Sequence, residues 1–371
     1  MEKDKLVTLA IHTYQKAQML KMLLEDQGIE VSLHNVNLIQ PVVSAGVRIR
    51  IKETDLPAAL KFIEENQTLV NDIENQAITS NNILIPIDFT DYSIQACEIG
   101  FHFAHDIGAE VTLLHACYSP YEFFKTIDLT QGLFNPIQQK EEENKALRKK
   151  AKKELTKLKQ YIKDKIATGE WEDVSFRTEL AYGLPEDEIA AYTKYNPVSL
   201  IIMGTRGKER KDMELIGSVT ADVINQTHFP VLAIPENTPF RNLKDIKKIA
   251  FATSFDQKDL IVMDSLIKMF QSFSIEYYLF HLSHKKDAWD EVKLAGIKEY
   301  FANLYPEVTI HHEIIDAGNF LSSLEDFTQV HGIDIISLAS NRRTIVSRLF
   351  NPSVAHKMLF HTDTPLLAFR S

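Results

Sequence analysis

The stretch Ile83–Phe89 (ILIPIDF) is answered 166 residues later by Ile249–Phe255 (IAFATSF). The same offset lays Val111–His115 (VTLLH) on Tyr277–His281 (YYLFH). Farther on the offset falls to 135, where Leu200–Gly204 (LIIMG) lies on Ile335–Ala339 (IISLA) and Phe229–Ala233 (FPVLA) on Thr364–Ala368 (TPLLA). One unit therefore occurs twice. The first copy is longer by 31 residues, the difference of the two offsets, and the extra length is placed before its third strand.

Working outward from these runs, the first copy alternates short β-rich segments at 83–87, 111–116, 174–178, 199–203 and 231–234 with longer helical patterns. Most of the runs are apolar at nearly every position, which predicts strands covered on both faces and hence a parallel sheet. Between the first two, Ile94, Cys97, Phe101, Ala104 and His105 fall at helical spacing. The fold class expected is α/β: two doubly wound five-stranded parallel-sheet domains of strand order 3-2-1-4-5, at 82–236 and 245–371.

Residues 1–70 stand outside the repeat. They read as strand 6–12, helix 14–27, strand 29–34, strand 46–51 and helix 55–66, a small α+β domain. Ala17, Leu20, Leu23 and Leu24 share one face of the first helix, and Gly28 ends it. Pro57 sits in the first turn of the second. The polar, Asn-rich stretch 70–81 is a linker, and a second linker holds Pro235, Asn237 and Pro239. The insertion, about 138–165, is densely charged and of mixed sign, with Leu147, Leu155, Leu158 and Ile162 as a thin apolar stripe. Its basic run Arg148–Lys153 is balanced by flanking glutamates and lacks interleaved aromatics, so it reads as a solvated helix of alternating charge.

Composition narrows the function classes. A chain of 371 residues predicts two or three domains. Apolar residues at 44% and charged residues at 25% are those of a core-forming globular protein. Asp plus Glu is 51 against 41 Lys plus Arg, a net charge of −10, so bulk attraction to nucleic acid or to a membrane is not expected. The mixed-sign start, Met1–Lys5, does not read as a secretory signal, and no apolar run approaches the roughly 18–20 residues of a bilayer span. Cys97 and Cys117 form no paired motif, which excludes a disulfide scaffold and points to a reducing cytoplasm.

The chemistry-bearing pattern follows the fourth strand of the first copy. Gly204 and Gly207 are followed, nine residues on, by Gly217, Ser218, Val219 and Thr220. Glycines let backbone N–H groups approach an anion with no Cβ in the way. A helix beginning near Ser218 turns its positive end toward the same point. Ser218 and Thr220 can add hydroxyl donors. The result is a phosphate cradle, though neither a Walker A loop nor a Gly-x-Gly-x-x-Gly fingerprint. Asp88 ends the first strand, and in order 3-2-1-4-5 strands 1 and 4 flank the topological switch point where ligands bind. A carboxylate suits an adenine amino group or a ribose hydroxyl better than a phosphate. Ala116, ending the second strand, offers backbone groups to a base. Taken singly these residues are better explained as a helix cap and turn glycines. Together, at matched strand ends, they favour a nucleotide.

The spacing Gly-x2-Gly-x9-Gly-Ser, the Asp after the first strand and the Leu-Leu-His after the second resemble the ATP-binding branch of the universal stress protein family, as does Gly183–Ile189 (GLPEDEI) after the third strand. The resemblance is strong over about 83–235 and weaker over 247–370, so the chain resembles a tandem member. It implies that Asp88 contacts adenine or ribose, that Ala116 contacts adenine through its backbone, that Gly204 and Gly207 contact ribose and phosphate, and that Gly217, Ser218 and Val219 hold the phosphates of ATP, with Mg²⁺ accompanying the nucleotide. The family commonly has Val where Ala116 stands. It further implies pairing through the fifth strands, here between the two copies on one chain, which leaves whole chains able to form homodimers through other surfaces. Residues 1–70 are similar, less specifically, to a small bacterial signal-transducing domain and are expected to recruit an unidentified protein.

In the second copy the pattern is lost. Gly204, Gly207 and Gly217 become Ala339, Arg342 and Pro352, and Asp88 becomes Ser254. Cβ atoms fill the cradle and proline cannot donate an N–H. This copy reads as a structural or regulatory pseudo-partner, although Arg342, Arg343 and Ser353 retain some affinity for anions. His115 and His281, at matching positions, read as core histidines. His311–Glu313 lacks zinc spacing, and no nucleophile elbow occurs. The reading is a cytoplasmic stress-response or signalling protein that binds ATP in its first copy. Its rivals are a slow ATP hydrolase or autophosphorylating enzyme, for which the loop offers only the unmarked Lys208, Glu209 and Arg210, and a nucleotide-free scaffold.

Overall fold

The computed structural model describes residues 5–12, 14–35, 47–65, 81–118, 137–205, 218–255, 257–283, 288–318, 320–340 and 364–370. The chain divides into two compact units, residues 1–80 with 247–339 and residues 81–246 with 340–370.

In the unit built on the first copy, β4 (Asn82–Pro86) buries Ile83, Leu84 and Ile85 completely. Such a run has no solvated face, and β4 is indeed flanked on both sides. It pairs in parallel with β5 (Glu110–Ala116), Ile83 opposite Val111, and with β7 (Leu200–Gly204), Ile83 opposite Leu200. β6 (Phe176–Ala181) adds to β5, and β8 (Val231–Ile234) to β7, both in parallel. The order β6-β5-β4-β7-β8 is the 3-2-1-4-5 expected. A sixth strand, β13 (Leu366–Arg370) from the end of the chain, pairs antiparallel with β8, Leu366 opposite Ala233 and Ala368 opposite Val231.

The helices follow from local signals. α3 (Asp91–Ile107) starts at Thr90, whose side chain accepts from the Ser93 N–H at 3.3 Å, and it buries Ala96, Cys97, Phe101 and Ala104. α5 (Pro185–Tyr195) starts with proline and three acids in its first turn, both favourable there. α6 (Ser218–Gln226) connects β7 to β8.

One expectation needs correction in the inserted helix α4 (Ile137–Ala167). Its buried stripe is Ala151, Leu155, Leu158 and Ile162, whereas Leu147 is 38% exposed, so the stripe starts one turn later than leucine content suggested. From Lys145 onward basic residues outnumber acidic ones, while Glu141–Glu143 form an acidic block before them. The third strand starts at Phe176 rather than at 174: as the outermost strand at its end of the sheet, it alternates half-buried with exposed positions instead of burying every residue.

In the other unit, β1 (Leu6–His12), β3 (Val47–Lys52) and β2 (Val31–Asn35) form an antiparallel sheet in the order β1-β3-β2. α1 (Tyr14–Asp26) and α2 (Leu56–Glu65) accompany it. Gly28 ends α1 with φ +77°, a conformation that costs glycine nothing. The small core joins Ala17, Leu20 and Leu24 to Val31, Ile49, Ile51 and Ala59. It also contains Ile261 of α7 (Gln257–Met269), a helix of the second copy. The second copy itself repeats the parallel order, with β9 (Lys248–Ala252) between β10 (Glu276–Ser283) and β12 (Ile335–Ser340), and β11 (Thr309–Asp316) beyond β10. Its further helices are α8 (Ala288–Leu304) and α9 (Phe320–His331).

Candidate functional site

The carboxyl ends of β4, β5 and β7 bring three of the expected residues to one end of one sheet. Asp88 lies two residues beyond β4, Ala116 closes β5 and Gly204 closes β7. Because β4 and β7 are neighbours whose connections leave in opposite directions, this is the switch point of the sheet.

Asp88 is half-buried and held in place. Its Oδ1 accepts from the Thr90 backbone N–H at 3.0 Å and from the Thr90 hydroxyl at 2.5 Å. Thr90, not Asp88, is the helix cap, so the capping explanation belongs to the neighbour. Asp88 braces that cap with one oxygen. Its Oδ2 makes no hydrogen bond among the described residues. Between them Phe89 takes φ +63°, the left-handed region, where a bulky side chain is strained. Its ring rests on His115, centroids 4.5 Å apart, and His115 Nδ1 lies 2.7 Å from the Ile87 carbonyl oxygen. A carbonyl only accepts, so Nδ1 carries the proton. Thus β5 holds the turn that presents Asp88.

Gly204 is confined from the protein side. A Cβ there would lie 2.9 Å from the Tyr92 Cβ and 3.0 Å from the Tyr92 carbonyl carbon. The glycine therefore first serves the close approach of α3 to the end of β7. The Thr220 hydroxyl donates to the Gly204 carbonyl at 2.9 Å, and Thr220 is only 3% exposed. This corrects its expected role: the hydroxyl is spent on clamping the start of α6 to β7 and is not a phosphate donor. The clamp nevertheless sets the N-terminus of α6, with Ser218 and Val219 as its first residues, at the carboxyl end of β7. Ser218 begins the helix as expected and Val219 is half-buried. Gly207, Gly217, Lys208, Glu209 and Arg210 lie outside the described residues.

Sequence reasoning overlooked Phe89, Thr90 and Tyr92. Thr90 was detectable as a Thr three residues before Ser93 at a helix start. The left-handed Phe89 carries no sequence signal.

The second copy repeats the frame and changes the chemistry. Phe255 has φ +65°, its ring lies 4.1 Å from that of His281, and His281 Nδ1 is 2.8 Å from the Thr253 carbonyl oxygen. At the Asp88 position, however, Ser254 gives its backbone N–H (2.7 Å) and hydroxyl (3.0 Å) to Asp259 Oδ2, which also accepts from the Thr253 hydroxyl at 3.0 Å. Asp259 is 5% exposed, so this strand end is closed by its own helix. Ala339 is half-buried in β12, and Arg342, Arg343, Pro352 and Ser353 lie outside the described residues.

The remaining candidates are absorbed by structure. His311 lies 3.4 Å from Glu276, His312 3.7 Å from Glu291, and His331 bonds Glu313 at 2.8 Å. Among the described residues no group of three or more His, Cys, Asp or Glu side chains could hold a metal ion. Cys97 and Cys117 are both buried, and burial pushes the Cys97 thiol far above its ordinary range. No described helix is long and apolar enough to cross a membrane.

Residues 79–235 match the model of the universal stress protein family. Universal stress protein MJ0531 of Methanocaldococcus jannaschii is 28% identical over 185 residues, covering 50% of this chain and 96% of that protein. Universal stress protein YxiE of Bacillus subtilis is 31% identical over 154 residues, 42% of this chain and 98% of its own length. Among solved structures, a universal stress protein from Archaeoglobus fulgidus shares the fold with a TM-score of 0.54 and 19% identity, over 78% of this chain and 96% of that one. Since nearly the whole of a 31%-identical relative is covered, the chain belongs to the universal stress protein family.

Proposed function

We propose that the first copy binds ATP, accompanied by Mg²⁺, and that the protein is a stress-response or signalling protein of the cytoplasm. The carrying observation is the convergence of Asp88, Ala116, Gly204 and the start of α6 at one switch point. The residues fit the group. A braced carboxylate whose Oδ2 is unbonded among the described residues suits an adenine amino or ribose hydroxyl group. A helix N-terminus set beside the end of β7 suits phosphate. In this reading Asp88 and the Ala116 backbone hold adenosine, Gly204 and Gly207 the ribose and phosphate, and Gly217, Ser218 and Val219 the phosphates. Mg²⁺ would neutralise phosphate charge. These residues bind and orient. Binding is the activity these residues support, with slow ATP hydrolysis as the alternative reading.

The second copy acts as a pseudo-partner within a tandem chain, its strand end tied to Asp259. The pairing of β13 with β8 supports an intramolecular association of the copies. Residues 1–70 recruit a protein partner through surface not taken by Ile261, and whole chains can form homodimers.

Calorimetry tests the reading. One ATP per chain is expected, with binding abolished by Gly217→Pro. Asp88→Ala should weaken ATP, ADP and adenosine by similar factors, because the carboxylate reads the adenosine end. Two equal sites per chain, or a loss that grows with phosphate number, would overturn it.

A further inference from the structure

We infer that α4 is a docking surface for the phosphate backbone of double-stranded nucleic acid. This rests on the charge of one helix face and is independent of the ATP reading.

From Lys145 to Lys165, α4 carries ten basic residues and two acidic ones, within a chain of net charge −10. At 3.6 residues per turn, Lys145, Lys149, Lys152, Lys159 and Lys163 fall within an arc of about 80°. Arg148 and Lys153 extend it on either side. From Lys145 onward no acid lies in the widened arc, since Glu154 and Asp164 fall outside it; Glu141 and Glu142, on the same face, end it at the preceding turn. All five lysines are exposed, and among the described residues none forms an ion pair. The two α4 lysines that do pair, Lys157 with Glu154 and Lys165 with Glu170, are off this face. Like charges five to a face repel one another. Nothing among the described residues compensates them, and the complement of such a face is an external anion.

The kind of anion follows from what the face lacks. Protein interfaces are anchored by aromatic, Met and Arg side chains and are depleted in Lys. Here Arg148 is turned over the Tyr182 ring, 4.3 Å from its centroid, and the other side chains in the arc are Thr156, Gln160 and the lysines. With no apolar side chain between the lysines, the face has nothing to insert into a bilayer. With no aromatic in the arc, it has no platform for unstacked bases. What it has is a row of flexible point charges about 27 Å long, from 18 residues at 1.5 Å each. Duplex DNA presents one phosphate charge per about 1.7 Å. Lysines read such a lattice without demanding bidentate geometry. The acidic Glu141–Glu143 just before the row limits the contact to the segment from 145 onward.

The test is fluorescence anisotropy with a labelled mixed-sequence DNA duplex and the full chain. At about 50 mM salt a Kd of order 1–100 µM is expected, and log Kd should rise steeply with log salt, by about 0.9 per phosphate neutralised. Lys149→Glu/Lys152→Glu/Lys159→Glu should weaken binding at least tenfold and flatten the salt slope by about three. Lys298→Glu on α8, a single charge reversal elsewhere, should leave both within twofold, whereas Lys152→Glu, the same charge change on α4, should weaken binding by more than twofold. Circular dichroism checks that the triple variant keeps its helix content; if it does not, the charge-neutral Lys149→Gln/Lys152→Gln/Lys159→Gln replaces it. The inference is overturned by no duplex binding at low salt, by equal loss in Lys298→Glu, or by tighter binding to phosphatidylserine vesicles or polyglutamate than to the duplex.

Discussion

At the scale of single residues, the first and second copies share a device that neither needs for its own helix. Phe89 and Phe255 are left-handed, each leans on a histidine, and each histidine holds the carbonyl at a strand end. If the device maintains the turn, then His115→Ala and His281→Ala should destabilise by similar amounts. Each removes a partly buried hydrogen bond to a backbone carbonyl and a ring contact, about 1–3 kcal/mol. His281→Ala also removes a charge partner of Asp290, so the comparison is made above about pH 8, where an imidazole is neutral. Chemical denaturation of the two variants checks this. A loss confined to one would mean that the turns are held differently. The match of His115 with His281 was legible from the repeat offset, and so was their structural reading. The left-handed phenylalanines were not, because that backbone strain is imposed by tertiary contacts and leaves no compositional trace. Gly204 shows a related limit. Its need for a missing Cβ was legible, but the nearest obstacle is Tyr92, a residue on another element. Asp88 was legible as a strand-end carboxylate, while its brace through Thr90 required the coordinates.

At the scale of elements, apolar runs located β4, β5, β7 and β8 to within a residue, since a fully buried strand has no polar position to blur it. The small domain was read as nearly in order, its five elements lying within two residues of expectation. In the charged helix the signs separate mainly along the chain, an acidic block at 141–143 preceding the lysine-rich segment from 145 onward. A second consequence of charge placement lies in α8. Asp290 is hydrogen-bonded by Lys293 at 3.1 Å, with the Ser283 hydroxyl at 3.3 Å and His281 Nε2 at 3.8 Å. The Lys293 hydrogen bond, with His281 nearby, holds the Asp290 carboxyl below its ordinary value. A depressed folded-state pKa favours the ionised form in the native state. The stabilisation is therefore complete above the unfolded value of 3.8 and is lost as pH falls toward the lower folded value. Urea midpoints should show Asp290→Asn less stable than wild type at pH 7, with the gap narrowing near pH 3. A gap that stayed constant with pH would assign the loss to packing instead of charge.

At the scale of the whole molecule, β13 pairs antiparallel with β8, in the unit that begins at residue 81. β8 is four residues long and buried at every position. Without a neighbour it would present unpaired backbone groups and an apolar ribbon, the arrangement that templates aggregation. β13 supplies that neighbour. Leu367, opposite Leu232, is 1% exposed, and Leu366, Ala368 and Phe369 are also buried. β13 thus joins a strand more than a hundred residues earlier in the chain, a contact of long sequence separation of the kind that forms slowly. Placing a carboxylate at Leu367 removes its apolar burial and strands a charge beside Leu232. The cost should be several kcal/mol unless the strand detaches. Leu367→Asp is accordingly expected to lower the melting temperature sharply and to increase the hydrodynamic radius or produce aggregates, by light scattering. Leu367→Met, of similar volume, should cost under about 1.5 kcal/mol. If Leu367→Asp melted and diffused as wild type does, the fifth strands would not be holding the molecule together, and the edge of β8 would have to be protected by some other segment.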